Sequence, residues 1–197
     1  DVRPHPAVEK QRGVLARAAD DAGQPAGVLA GEQELEAAVA YAEDEGAKTI
    51  VLGGASHGGA VTLGFLERGA LARRVDGVIL DSPASSFEDA IDEAAEYRTL
   101  PVANLPIPES LEDAAKMAVA FRYGVDFSAI DYSGKEGLVD VPLLVFQGTD
   151  DRTVPLAVND RFMRIAGKDG TYVVVDGADH VMSWNVDPDA YDKAIKK

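Results

Sequence analysis

The segment Gly54-Ala55-Ser56-His57-Gly58 sets a serine between two glycines in the pattern G-x-S-x-G. Glycine and serine are common enough that the bare pattern is only moderately informative. Its setting says more: the apolar run Thr49 to Gly53 leads straight into it and a helical pattern follows, the strand-turn-helix arrangement that holds a nucleophilic serine on a tight elbow. Such a turn strains the serine backbone, and side chains at Gly54 and Gly58 would collide where strand and helix close on each other. A serine hydroxyl is a poor nucleophile at neutral pH, so the chemistry needs a base beside it and an acid to orient that base. The chain has three histidines. His5 lies in the N-terminal tail, and the ring of His57 should point away from the neighbouring serine hydroxyl. His180, in the loop Gly177-Ala178-Asp179-His180 after the last apolar run, is left as the base; the plain alternative is a solvated loop histidine.

The acid should come from another strand end. Gly148-Thr149-Asp150-Asp151-Arg152-Thr153-Val154-Pro155 follows the third apolar run, which gives the chain order Ser56, Asp151, His180. Each of the three then sits just past the C-terminal end of its own strand, where α/β sheets carry their sites. Asp150 is the close rival and Asp81, past the second run, a more distant one. With 34 acidic residues in the chain, any single aspartate is more often solvated surface. Other chemistries fit less well. Gly53, Gly54, Gly58 and Gly59 match neither the dinucleotide nor the P-loop spacing, so no nucleotide cofactor is expected. Asn185, Asp187, Asp189 and Asp192 are clustered but lack the glycine and terminal glutamate of a calcium loop, so no metal is expected either.

The elements that must position these residues read as α/β. Four apolar runs, Thr49 to Gly53, Gly77 to Asp81, Pro142 to Gln147 and Thr171 to Asp176, are nearly continuous and not alternating, as in parallel strands covered on both faces. Helical spacing marks Gly31 to Glu45, with Leu35, Ala38, Val39 and Ala42 on one face. It also marks His57 to Arg68, Leu156 to Ala166 with Pro155 at its first position, and a last helix from about Pro188. About 60 residues separate the second and third strands, far more than a strand-to-helix connection needs. Within them Ser86 with Asp89 and Ser110 with Asp113 form two capping boxes around a proline-interrupted stretch, Leu100 to Pro108. Residues 82–139 are therefore expected to form a helical cap inserted in a single domain, 1–197; a crossover with one long helix is the alternative. Phe87, Ile91, Leu105, Ile107, Met117 and Phe121 could line a pocket there, although their spacing fits plain core as well.

Composition narrows the partners. The chain of 197 residues carries 19 basic and 34 acidic side chains, a formal charge of −15, which repels nucleic acid and anionic membranes. Without cysteine, thiolate metal sites and cysteine nucleophiles are excluded. No apolar stretch approaches the roughly 20 residues of a membrane span, and no signal pattern opens the chain, so a cytoplasmic location is expected. The first residue is Asp1 and not Met, which points to a processed or trimmed polypeptide.

Taken together, the elbow, Ile79-Leu80-Asp81-Ser82-Pro83, the acid turn Gly148 to Asp151 and the histidine loop Gly177 to His180 resemble the α/β-hydrolases from about Gly31 to the C-terminus. In that family the acid lies four residues before the proline of the acid turn, which selects Asp151 over Asp150. Trp184 to Pro188 and Asp21 to Pro25 are similar to segments of one bacterial branch. The resemblance implies a serine hydrolase acting on a small-molecule ester or related acyl compound, with no cofactor. In it Ser56 is the nucleophile, His180 the base, Asp151 its orienting acid, and the backbone N–H of His57 an oxyanion donor. The family's second oxyanion donor comes from an H-G type loop after its third strand. The 55 residues before Ser56 hold no His-Gly pair and, ahead of Thr49, no convincing strand; the helical pattern Val8 to Ala19 abuts Asp21 to Pro25 directly. Two expectations follow: residues exist upstream that this sequence does not contain, the favoured one, or the chain is a half-domain. A half-domain would expose the first strand as an apolar edge, which leaves a homo-oligomer open. A hydrolase-like binding or scaffold subunit is the non-catalytic alternative.

Overall fold

A computed structural model describes residues 26–100, 105–123 and 125–197. His5, the helical pattern Val8 to Ala19 and the segment Asp21 to Pro25 lie outside the described residues. The described residues form four strands, β1 (Val51–Ala55), β2 (Gly77–Asp81), β3 (Leu143–Gly148) and β4 (Thr171–Val175), and seven α-helices. These helices are α1 (Ala26–Asp44), α2 (His57–Arg68), α3 (Phe87–Ala95), α4 (Glu109–Tyr123), α5 (Leu156–Ile165), α6 (Ser183–Val186) and α7 (Pro188–Ile195). All neighbouring strands are parallel, in the spatial order β1-β2-β3-β4.

Burial follows strand position. β2 and β3 are central and almost wholly buried, as continuous apolar runs require. β1 and β4 are edges among the described strands, and both are only partly covered, so double coverage holds for two strands of the four. β1 also lies two residues later than its apolar run suggests. The Asp76 carboxylate takes the Ile50 N–H at 2.8 Å, and the Asp76 N–H goes to the Ile50 carbonyl at 2.7 Å, so the chain reaches β1 through a side-chain clasp.

Helices cover the sheet through the stripes their spacing marks. Leu35, Val39 and Ala42 of α1 are buried with Val61, Leu63 and Phe65 of α2 in one core that continues through Leu52, Val78, Leu80 and Val145 of the sheet. Arg68 on α2 reaches back to Glu32 on α1 and to the Tyr132 hydroxyl at 2.9 Å, which supplies the nearly buried Glu32 carboxylate with its partner. α5 starts at Leu156, with Pro155 as the capping residue and not the first helical one. Asp187 caps α7 by accepting the Ala190 N–H at 2.9 Å.

Between β2 and β3 the described residues form two α-helices, α3 and α4. Ser86 caps α3 through its hydroxyl, which accepts the Asp89 N–H at 3.2 Å. Ser110 does not cap α4: the helix starts one residue earlier, and the Pro108 carbonyl accepts the N–H groups of Leu111 and Glu112. Lys116 on α4 joins the two helices through Asp92 of α3, 2.7 Å away. Another face of α4 is open. Met117 is 66% and Phe121 94% exposed, and Leu105 is exposed too, so these three are neither core nor pocket wall. No described helix is long and apolar enough to cross a membrane.

Candidate active site

The parallel register brings every strand's C-terminal end to one edge. Ala55 pairs with Asp81, and Asp81 with Phe146. One residue further on, the ladder continues: the Ser56 N–H goes to the Asp81 carbonyl at 3.0 Å, Ser82 to Phe146 at 2.9 Å and Thr149 to Val175 at 3.1 Å. Ser56, the turn at Thr149 to Val154 and the loop after β4 therefore leave the sheet side by side.

Ser56 sits between β1 and α2 with φ 51° and ψ −122°, a backbone that β-carbon residues rarely adopt. It persists because its surroundings over-determine it. Its N–H is bound to Asp81, and its carbonyl accepts the N–H groups of both Gly59 and Ala84 at 3.0 Å. The close approach of strand and helix shows at Gly54, where a Cβ would lie 2.6 Å from the Gly58 carbonyl oxygen. The second tight glycine is Gly59, whose Cβ would meet the Pro83 Cβ at 2.5 Å; Gly58, named from the spacing, enters through its carbonyl. The His57 ring turns toward Phe87 in an edge-on contact, centroids 5.9 Å apart.

His180 faces Ser56 across the edge. Its Nε2 lies 2.8 Å from the Ser56 Oγ, and its Nδ1 lies 2.8 Å from Oδ2 of Asp151. An ionised carboxylate only accepts, so the Nδ1 carries the proton and the Nε2 accepts from the serine hydroxyl. The Asp151 side chain has no solvent exposure, while that of His180 is 21% exposed. Burial pushes the Asp151 carboxyl upward. The bond from His180 and the N–H groups of Val154 and Thr153, both 2.9 Å from Oδ1, outweigh it and hold the group below the usual carboxylate range. Asp150 is exposed, and its backbone N–H is taken by the Ala178 carbonyl at 3.0 Å. Asp81 is 7% exposed and bonds elsewhere: its Oδ1 accepts from the Ser183 hydroxyl at 3.1 Å.

Behind Asp151 runs a buried polar chain that spacing alone did not single out. Gln147 donates from Nε2 to Asp151 at 3.2 Å and to the Val154 carbonyl at 3.0 Å. Asn159 of α5 donates to the Gln147 Oε1 at 2.6 Å, and the Ser85 hydroxyl donates to Asn159 at 2.8 Å. A glutamine closing the apolar run Pro142 to Gln147, and buried within β3, is the one sequence signal for it, because a buried amide must be satisfied.

Ser56 and His57 border a cavity of about 500 Å³. One face of α3 lines it with Phe87, Ala90, Ile91 and Ala94, and α4 adds Leu111, Ala115 and Val119 at four-residue spacing. The wall is overwhelmingly apolar. Among the described residues no group of three or more His, Asp or Glu side chains is placed to hold a metal ion.

A family model described as "Alpha/beta hydrolase family" matches residues 11–194. Solved structures share the fold at low identity. An alpha/beta fold family hydrolase from Bacillus anthracis is 16% identical, with a TM-score of 0.60, over 86% of this chain and 73% of that one. A thermophilic esterase from the planctomycete Thermogutta terrifontis, with butyrate bound, is 21% identical (TM-score 0.59) over 88% of this chain and 64% of that one. An esterase from Pyrococcus furiosus is 19% identical (TM-score 0.55) over 84% of this chain and 58% of that one. The match thus takes in between 58% and 73% of the lengths of these three proteins. No curated protein matches.

Proposed function

The chain belongs to the alpha/beta hydrolase family, and from that premise we propose that it is a serine hydrolase that cleaves a carboxylic ester through an acyl-enzyme. The observation that carries the reading is the unbroken line from Ser56 Oγ to His180 to Asp151, two contacts of 2.8 Å, beside an apolar cavity.

The Ser56 oxygen bonds to the ester carbonyl carbon while its proton passes to the His180 Nε2. Asp151 keeps the ring in the tautomer that can accept it and stabilises the resulting imidazolium. The carbonyl electron pair moves onto oxygen, facing the start of α2, where the helix dipole favours negative charge and the backbone N–H of His57 is the donor that the family resemblance implies. The pair then returns, the carbon–oxygen bond to the leaving alcohol breaks, and His180 gives that alcohol its proton. Water repeats the sequence on the acyl-serine: His180 takes its proton, and Ser56 leaves with that proton restored. Residues 82–139 serve as the cap, with α3 and α4 holding the acyl chain. A fluorophosphonate should label Ser56 covalently, and Ser56→Ala and His180→Ala should abolish both labelling and hydrolysis of p-nitrophenyl esters. A wild-type protein that takes no label is a non-catalytic binding or scaffold subunit instead.

A further inference from the structure

Asp81 bonds on both sides of the Ser56–His180 pair without touching either ring or hydroxyl. Its backbone carbonyl holds the Ser56 N–H at 3.0 Å. Its carboxylate accepts from the Ser183 hydroxyl, three residues after His180, at 3.1 Å, and Tyr191 of α7 interacts with it. Tyr191 is itself fixed by stacking on Phe146 of β3, centroids 3.8 Å apart. The next residue, Ser82, accepts the Val181 N–H at 3.2 Å, and its own hydroxyl points back toward the Asp81 carboxylate at 3.4 Å. Ser82, Ser183 and Asp81 are all buried, so these bonds are shielded from competing water. Val181 has φ 56°, so the chain leaves His180 in a conformation that relaxes unless something holds it.

We infer that Asp81 is a positioning residue for catalysis: it ties the nucleophile's backbone and the histidine loop to one strand end and so sets the Ser56–His180 separation from behind. The inference rests on Ser56, His180 and Asp151 being the catalytic machinery. Asp151 cannot do the same work. It grips the far side of the ring through a single bond, about which the imidazole can still swing with its loop. Asp81 holds the loop by the Ser183 hydroxyl, and Ser82, whose hydroxyl faces the Asp81 carboxylate, holds the Val181 N–H, while the Asp81 carbonyl holds the N–H of the residue that carries the nucleophile.

The test compares wild type, Asp81→Ala, Asp81→Asn and Ser183→Ala by fluorophosphonate labelling and p-nitrophenyl ester kinetics. The labelling endpoint counts folded sites, and the labelling rate reads their reactivity. Asp81→Ala should keep the endpoint while labelling rate and kcat fall together by about ten- to a hundredfold, as for a displacement of order 1 Å, with KM changed by no more than about twofold. Asp81→Asn retains an acceptor oxygen and should recover part of the loss. Ser183→Ala, which removes one hydroxyl and little volume, should slow labelling in the same direction and so covers the case in which Asp81→Ala fails to fold. A labelled wild type with Asp81→Ala and Ser183→Ala reacting at the wild-type rate per folded site overturns this inference alone. So does a loss confined to the endpoint. A wild type that takes no label overturns the catalytic reading and this inference with it.

Discussion

Replacing Ala94 by leucine adds three carbons to the wall of the apolar cavity two helical turns beyond Phe87, the α3 residue that meets the His57 ring. Seven residues of α3 separate the two positions, about 10 Å along the helix at 1.5 Å per residue. An extended chain advances about 1.2 Å per bond, so an acyl chain running from Ser56 along α3 should reach Ala94 near its eighth carbon. Three added carbons displace about three methylenes of a long acyl chain, at about 0.8 kcal/mol each. The sum, about 2.4 kcal/mol, corresponds to about fiftyfold in kcat/KM. A butanoyl ester ends well short of Ala94 and should be unaffected within about twofold. The assay is therefore the ratio of kcat/KM for p-nitrophenyl decanoate and butanoate, measured on protein whose melting temperature matches wild type. Equal losses on both esters, or an unchanged ratio, would refute the placement of the acyl chain along α3.

Two further expectations concern stability. Gly59→Ala would drive a Cβ to 2.5 Å from that of Pro83, with backbone on both sides unable to yield easily. Overpacking of this kind costs about 1 to 3 kcal/mol, a fall of about 2 to 12 °C in melting temperature for a chain of this size, and a calorimetric scan reads it directly. The second concerns acid. The folded-state pKa of Asp151 is depressed, so its contribution to stability is fully present above the unfolded value near 3.8 and is lost as pH falls through the lower folded value. Urea midpoints of wild type and Asp151→Asn should differ by a constant amount above the unfolded carboxylate range and draw together as pH falls below it; a gap that widens on acidification contradicts the assignment.

How far the sequence reveals this molecule depends on how local each determinant is. The limits of β2 and of α2 match their apolar and glycine signals to the residue, because strand and helix there are bounded by their own chain. β1 shifts by two residues because Asp76, 26 positions away, takes the Ile50 N–H. Ser86 caps as its capping box implies, whereas Ser110 does not, since Pro108 already supplies the first acceptor of α4. Met117 and Phe121 keep perfect helical spacing and yet face outward; spacing tells which residues share a face, not whether a partner covers it. The same limit applies at the site. Ser56, Asp151 and His180 each follow an apolar run, and their joint placement marks them, although only the resemblance to the α/β-hydrolases separates Asp151 from Asp150. The links that hold them, Gln147 with Asn159 and Asp81 with Ser183, join residues from different elements whose types look unremarkable until the sheet brings them together.

The contact between Ser56 and His180 spans 124 positions of chain, and the one between Asp151 and His180 spans 29. Closing the longer loop is paid for in chain entropy before either side chain gains anything, and parallel pairing of four strands supplies the return only once β4 docks on β3. The order expected in refolding follows: β1 and β2, joined by α2, pair early, and His180 arrives with β4. If the proposed function holds, recovery of p-nitrophenyl ester hydrolysis after dilution from denaturant should therefore trail the recovery of helical signal, and the lag should time the docking of β4.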